Sequence, residues 1–204
     1  MSPKVAVIIV SYNRKKDLLK CLKSVFDSGY PNLQTIVIDN NSQDQAGQIA
    51  KKEFSQIDLI QNQKNLGFAK ANNIGIKKAL EKGAEYILLL NNDAFLEKRA
   101  LFELVKTAQK EKAEIVLPLI YHFPSKKIWF AGGKIFFGGI ILHQNKKPSQ
   151  PIKTEFVNLC CALIKREVFE KVGLLDEQFF LYYEDVDFSL RCQKAKIKAV
   201  VVPS

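Results

Sequence analysis

The sequence predicts an α/β fold, a Rossmann-like, mostly parallel sheet with helices on both faces, and three observations carry that prediction. Short, β-branched apolar runs alternate with stretches of helical periodicity. Three of those runs stop abruptly in polar clusters. A 204-residue chain with 47% hydrophobic residues is also long enough for one sizeable core, and its composition excludes disorder.

The elements follow in order. Lys4 to Ser11, centred on Val5-Ala6-Val7-Ile8-Ile9-Val10, reads as a central parallel strand, because a strand buried on both faces has no polar alternation. From Arg14, Leu18, Leu19, Leu22, Val25 and Phe26 recur at helical spacing until Gly29-Tyr30-Pro31-Asn32. Leu33 to Ile38 is a second strand, 44–55 a helix, Ile57 to Ile60 a third strand, and Asn65-Leu66-Gly67-Phe68 opens a helix that runs to about Leu80. Ile87-Leu88-Leu89-Leu90 is a fourth buried strand, and a helix beginning near Glu97 buries Leu101, Leu104, Val105 and Ala108. Ile115 to Leu117 is a strand stopped by Pro118. Residues 121–153, with Trp129 and the pairs Gly132-Gly133 and Gly138-Gly139, read as hairpins and a mobile loop. Phe156 to Ile164 is a strand, Arg166 to Val172 a short helix, Phe188 to Lys194 has helical character, and Ala199 to Val202 closes the fold as a strand.

Ser11-Tyr12-Asn13, Asp39-Asn40-Asn41-Ser42 and Asn91-Asn92-Asp93 each sit at the carboxyl end of a predicted strand, the edge where open α/β sheets bind ligands. Any one could cap the next helix, and capping alone accounts poorly for three. Asp93, flanked by amides, is the candidate ligand for a hard divalent cation held against phosphate oxygens. Neither Gly-x-Gly-x-x-Gly after the first strand nor a Gly-Lys-Ser/Thr loop occurs, which disfavours dinucleotide dehydrogenases and P-loop phosphotransferases.

The formal charge of +10 is compatible with nucleic acid, an anionic membrane or anionic small substrates. The lysines scatter along helix faces, so a solvated basic surface explains the charge equally well. Cys21, Cys160, Cys161 and Cys192 lack paired metal spacing and read as free thiols of a reducing compartment. With no apolar run of spanning length and no signal-like beginning, the expected location is cytoplasmic, with peripheral contact at the inner face of an anionic membrane as a further expectation.

A second acidic cluster, Glu184-Asp185-Val186-Asp187, follows the apolar approach Phe179-Phe180-Leu181-Tyr182-Tyr183. Acidic residues suit a first helical turn whatever their function. The aromatic lead-in predicts in addition a partly desolvated wall, where a carboxyl becomes a better proton acceptor from an alcohol.

The stretches Val7 to Asn13, Ile36 to Ser42, Asn65 to Gly75, Leu88 to Asp93 and Phe179 to Arg191 together resemble the family 2 glycosyltransferases of GT-A fold, above all their rhamnosyltransferase-like branch. The resemblance covers residue 5 to about 202 in the family's order. It implies one domain, with a nucleotide-sugar-binding half over 1–95 and an acceptor-side half over 96–204 that includes the hairpin region. It also implies an inverting, metal-dependent transfer of a sugar from a UDP- or dTDP-sugar to a hydroxyl of a saccharide or lipid-linked saccharide acceptor in polysaccharide synthesis. Ser11, Asn13, Asp39, Asn41 and Ser42 would form the base and ribose pocket; Asn65, Gly67, Phe68 and Asn72 would line the donor cleft. Asn91, Asn92 and Asp93 would be the version here of the family's Asp-x-Asp motif, with Asp93 on Mn²⁺ or Mg²⁺. Asp185 would be the catalytic base and Glu184 an orienting or acceptor-binding group.

Two departures stand out. Leu159-Cys160-Cys161 occupies a place where the family usually has a glycine-alanine pair, and the family generally continues past the final Val-Pro with a His-containing segment that helps bind the diphosphate. The implication is a truncated chain or a short gene, one that binds nucleotide without turnover. The competing readings are a nucleotidyltransferase, which should carry a Gly- and Lys-rich loop where Ser11-Tyr12-Asn13-Arg14 stands, a non-catalytic nucleotide-sugar or glycan-binding domain, and nucleic-acid binding, which rests on charge alone.

Overall fold

A computed structural model describes residues 2–203. The chain runs β1 (Val5–Ser11), α1 (Lys15–Asp27), β2 (Leu33–Asp39), α2 (Ala46–Glu53), β3 (Asp58–Gln61), α3 (Phe68–Glu81), β4 (Tyr86–Leu90), α4 (Ala100–Glu111) and β5 (Ile115–Leu117). It continues through β6 (Ile120–Tyr121), β7 (Ile128–Phe130), β8 (Gly133–Phe136), a 3₁₀ turn (Phe137–Gly139), β9 (Ile140–His143) and β10 (Ile152–Lys153). β11 (Cys161–Lys165), α5 (Arg166–Val172), α6 (Glu184–Lys194) and β12 (Ala199–Val201) complete it.

The eight-stranded sheet has the order β10-β12-β5-β11-β4-β1-β2-β3. β1 pairs in parallel with both β2 and β4, Ser11 standing opposite Asp39, so the ends of these strands share one edge as right-handed crossovers require. Burial on both faces explains the unbroken apolar runs. In β1, Ala6 and Ile8 join Ile36, Ile38, Leu89, Phe130 and Phe188 on one side, while Val5, Val7 and Ile9 join Val37, Leu88, Leu90 and Leu163 on the other. α3, α5 and α6 cover the first side; α1, α2 and α4 cover the second. At roughly 1.5–3 kcal/mol for each large aliphatic or aromatic side chain fully buried, these two layers dominate the stability of the fold.

Several boundaries differ from expectation. The predicted strand Phe156 to Ile164 is a strand only from Cys161, because side chains take the amides that a ladder would need: Val157 N donates to Ser189 Oγ at 2.8 Å and Cys160 N to Asn158 Oδ1 at 2.9 Å. α4 begins at Ala100 rather than near Glu97, and α6 already at Glu184, so the acidic cluster lies inside its first turn, while α3 begins at Phe68, within the stretch expected to open it. Residues 120–143 form two antiparallel ribbons, β6–β7 and β8–β9. β11 runs antiparallel to both β4 and β5, a direction that its apolar composition does not reveal.

Candidate active site

The three polar clusters do not cap helices. α1 and α2 begin at left-handed residues, Arg14 (φ 61°) and Gln45 (φ 57°), neither with a side-chain cap, and α4 begins seven residues beyond Asp93. Their side chains bond to each other across the strand ends instead. Ser11 Oγ donates to Asn13 O at 3.1 Å and accepts from Asn92 Nδ2 at 3.3 Å, tying the end of β1 to the end of β4. Asn13 N donates to Ser42 Oγ at 2.9 Å, Gln43 N to Asn13 Oδ1 at 2.9 Å, and Ser42 N to Asp39 Oδ1 at 3.1 Å, tying β1 to β2. Asn13 (φ 58°) and Asn41 (φ 68°) both take the left-handed region, which asparagine tolerates better than most residues and which turns the chain back on itself here. Ser11 and Asp39 are buried, and α2 lies so close over Asp39 that a Cβ on Gly47 would sit 2.7 Å from Asp39 Oδ2.

Asn40, buried beside them, joins the second group of predicted residues to the first. Its Nδ2 donates to Asn65 Oδ1 at 3.0 Å and Gly67 O at 3.1 Å, and its Oδ1 accepts from Asn62 Nδ2 at 2.9 Å and Leu66 N at 3.3 Å. Gly67 N also donates to Asn65 Oδ1, so the turn before α3 is held by side chains at every step. Gly67 is required twice over. Its φ is +80°, and a Cβ there would lie 2.4 Å from Phe180 O. That approach lets Phe68 N donate to Phe180 O at 2.7 Å, bringing the loop before α6 against the amino end of α3. Asn72 is buried and donates within its own helix to Phe68 O at 3.0 Å, so it supports this turn.

Sequence reasoning missed Asn73. It is buried, donates to Leu175 O at 2.8 Å and Glu177 Oε1 at 3.2 Å, and accepts from Leu175 N at 3.1 Å, anchoring the 175–183 loop to α3. The signal was an asparagine on the apolar face of a helix, where nothing local can satisfy it.

Within the acidic cluster the three carboxylates differ. Asp187 forms a two-pronged ion pair with Arg191, 2.9 and 2.7 Å, while Arg191 also donates to Val172 O and lies over the Phe188 ring; this carboxylate is structural. Glu184 is 6% exposed, and its Oε2 has no hydrogen-bond partner among the described residues. Burial raises its pKa and the neighbouring Asp185 charge raises it further, with its own backbone N–H acting the other way. Burial likewise raises the Asp185 carboxyl, tempered by the Val186 and Asp185 amides, Val186 N donating at 2.8 Å. The aromatic lead-in is not the expected apolar wall. Tyr182 and Tyr183 both take positive φ, 69° and 67°, and Phe180, Leu181, Tyr182 and Tyr183 are all exposed, so the desolvation comes from packing of the first turn of α6.

Polar strand ends thus share one sheet edge, and the loop that packs on Gly67 leads from there into two desolvated carboxyls. A sequence profile of glycosyl transferase family 2 fits residues 6–173. The chain belongs to that family. Among family 2 relatives it is 29% identical to the dTDP-rhamnosyl transferase RfbF of Shigella flexneri, spanning 100% of this chain and 68% of RfbF. It is 27% identical to the low-salt glycan biosynthesis hexosyltransferase Agl10 of Haloferax volcanii, spanning 95% of this chain and 62% of that one. The chain thus spans about two thirds of the length of these curated relatives. The crystal structure of GalNAc-T7 with UDP, GalNAc and Mn²⁺ superposes with a TM-score of 0.77 at 18% identity, over 98% of this chain and 42% of that one. The fold is therefore GT-A, a mostly parallel sheet between helix layers with small antiparallel hairpins.

Asp93 fits a family 2 metal ligand on its own chemistry. It is a 42% exposed carboxylate whose partner is Arg14, Nη1 to Oδ2 3.2 Å, and an exposed pair of this kind contributes only about 0–1 kcal/mol, so a cation can displace it. No cluster of three or more His, Cys, Asp or Glu that could hold a metal occurs among the described residues. One carboxylate completed by substrate phosphate oxygens is the usual way a hard divalent ion is held without such a cage. Cys21 and Cys160 lie close enough for the Asp93 charge to act on them; burial first and that charge second push the Cys160 thiol up to about 12.

Proposed function

We propose that this chain carries the catalytic domain of an inverting, metal-dependent glycosyltransferase. It would move a sugar from a UDP- or dTDP-sugar to a hydroxyl of a saccharide or lipid-linked saccharide acceptor in polysaccharide synthesis. The observation that carries the reading is the bonded continuity of one sheet edge, from Ser11 through Asn13, Asp39 and Ser42 to Asn92, next to a loop that leads into two desolvated carboxyls. Ser11, Asp39, Asn41 and Ser42 would take the nucleoside; Asn65, Gly67 and Phe68 would wall the donor cleft.

In the transfer, the acceptor hydroxyl oxygen forms a bond to the anomeric carbon as the bond from that carbon to the diphosphate breaks. The proton released goes to the Asp185 carboxylate. Burial raises its pKa and so makes it a stronger base than an ordinary aspartate. Glu184, buried alongside, orients Asp185 or the acceptor. A divalent ion on Asp93, Mn²⁺ or Mg²⁺, would supply charge neutralisation for the departing diphosphate. Asn91 stands where a first acidic residue of such a motif would, so the site carries one negative charge fewer there.

A second reading is binding of the nucleotide sugar without transfer. Calorimetric titration of UDP and dTDP with Mn²⁺ and with chelator, on the parent and on Asp93→Ala, tests the donor site. Metal-dependent binding lost in the variant supports it, and no binding under either condition sinks it. Donor consumption with a saccharide acceptor then separates transfer from mere binding.

A further inference from the structure

Between Ile115 and Thr154 the chain contains six lysines, Lys126, Lys127, Lys134, Lys146, Lys147 and Lys153, and no acidic residue. A large part of the net charge of +10 is therefore gathered in the segment that holds the two ribbons. Strand alternation does the rest. In β8–β9, Lys134 pairs with Leu142, Ile135 with Ile141 and Phe136 with Ile140. Ile135 and Ile141 pack inward against the core. The outward face is consequently Phe136, Ile140 and Leu142, which are 51%, 66% and 60% exposed, with Lys134 beside them and Phe137, wholly exposed, at the tip. A two-stranded ribbon facing water normally puts its polar set outward; this one does the reverse.

The ribbon also adjoins the proposed site. A Cβ on Gly139 would lie 3.7 Å from Tyr183 Cε1 and from Val186 Cγ1, the residues bracketing Glu184 and Asp185. Phe180, Leu181, Tyr182 and Tyr183, all exposed, extend the apolar surface to the mouth of the site.

We propose that the outward face of the β8–β9 ribbon, with its Phe136-Phe137 tip, docks on an anionic lipid surface. Exposed aromatic and aliphatic side chains on a lysine-rich segment suit the headgroup boundary, where rings enter and ammonium groups meet lipid phosphates; Glu155, whose Oε2 accepts from Ile135 N at 3.4 Å, is the one carboxylate bonded to the ribbon among the described residues. No helix among the described residues is long and apolar enough to cross a membrane, so the contact made by this face is a surface contact. Docking would present a lipid-linked acceptor to Asp185, and in that respect it rests on the transfer proposed above; vesicle binding itself needs neither donor nor acceptor and is measured without them.

The test is flotation of the protein with vesicles of phosphatidylcholine, alone and mixed with phosphatidylglycerol. The parent should partition onto the mixed vesicles and much less onto neutral ones. Phe136→Ser with Phe137→Ser should lower the partition coefficient by about a hundredfold. Lys134→Gln, Lys146→Gln and Lys147→Gln should each lower it by up to about fivefold on anionic vesicles alone. Both sets replace exposed side chains, so unfolding midpoints should stay at the parent value. Trp129 is the one tryptophan of the chain. Trp129→Phe with Phe137→Trp moves the only indole to the tip, where its emission should shift blue and be quenched by brominated lipid. Equal binding to neutral and anionic vesicles, parental binding by the double serine variant, or an unquenched tip indole overturns the assignment. So does Phe137-dependent self-association without vesicle binding, which would make this face a contact between copies of the chain.

Discussion

Replacing Asn40 with alanine tests whether the hydrogen-bonded turn before α3 is a built structure or a passive loop. The side chain makes four hydrogen bonds, two through Nδ2 and two through Oδ1, to three residues of the 62–66 segment and to Gly67 O. At about 1 kcal/mol net for each, complete loss would cost about 4 kcal/mol, and water entering around the half-buried Asn62, Asn65 and Leu66 would return part of that. The expected destabilisation is about 2–4 kcal/mol, a large share of the ~5–15 kcal/mol available to a domain. Urea unfolding should show the midpoint falling by about 1–2 M with the slope unchanged, for a slope of about 2 kcal/mol/M. Asn40→Asp sharpens the test, since one carboxylate oxygen would face two acceptors, Asn65 Oδ1 and Gly67 O. Its folded pKa would be raised above the unfolded value of about 3.9, so its penalty should be absent below that pH and grow as pH rises through it. A loss below about 1 kcal/mol in the alanine variant, or no acid relief in the aspartate variant, would show that solvent holds this turn as well as Asn40 does.

Three other outcomes follow from the same geometry. Asp185→Asn should lower any transfer or donor hydrolysis by about 10²- to 10⁴-fold with donor affinity retained, whereas Asp187→Asn should lower the thermal midpoint through the loss of its pair with Arg191; kinetics and calorimetry on both variants would expose a reversed pattern. Gly67→Ala should cost about 1–3 kcal/mol from the positive φ alone, more from the close approach to Phe180 O, and should raise amide exchange at Phe68. Glu184→Gln should stabilise the protein at neutral pH. The folded pKa of Glu184 is raised, so its ionised form is the costly one: stability is fullest below the unfolded pKa and declines as pH rises through the folded value. Unfolding midpoints measured at acid and neutral pH should diverge less in the variant than in the parent.

The strands and their shared edge were legible because burial on both faces leaves a plain signature: β1, β2, β4 and β5 fall within a residue of where their apolar runs place them. The α5 helix, bounded by Arg166 and Gly173, is read correctly for a similar reason, since a glycine with φ 77° ends it. What was not legible depends on partners distant in sequence. Phe156 to Cys160 is as apolar as a strand, yet Ser189, more than thirty residues away, holds Val157 N. The reversed direction of β11 leaves no trace in Cys161-Ala162-Leu163-Ile164, because an apolar run reads the same both ways. At the site, the strand-end asparagines and serines announced themselves by type and place. Asn40 and Asn73 did not stand out from their neighbours, because their importance lies in how many bonds each makes and to what. The outward apolar face of β8–β9 needed the pairing register before it could be separated from the inward one.

The reversed β11 has a topological result. Because β5 and β4 run one way and β11 the other, the chain leaves β5 after Leu117 and enters β11 at Cys161 at the same edge, the one that holds Ser11, Asp39 and Asn91, and in between it adds only the short outermost strand β10 to the sheet. The excursion over residues 118–160 thus begins and ends beside the proposed donor site, tied down on its way back by the pairing of β10 with β12. Apart from β10, which sits at the sheet's outer edge, such a segment can grow, shrink or be replaced without rethreading a strand of the main sheet. On the function proposed above, specificity for the acceptor and for the surface that carries it would diverge in that segment while the strand ends of β1, β2 and β4 stay as they are.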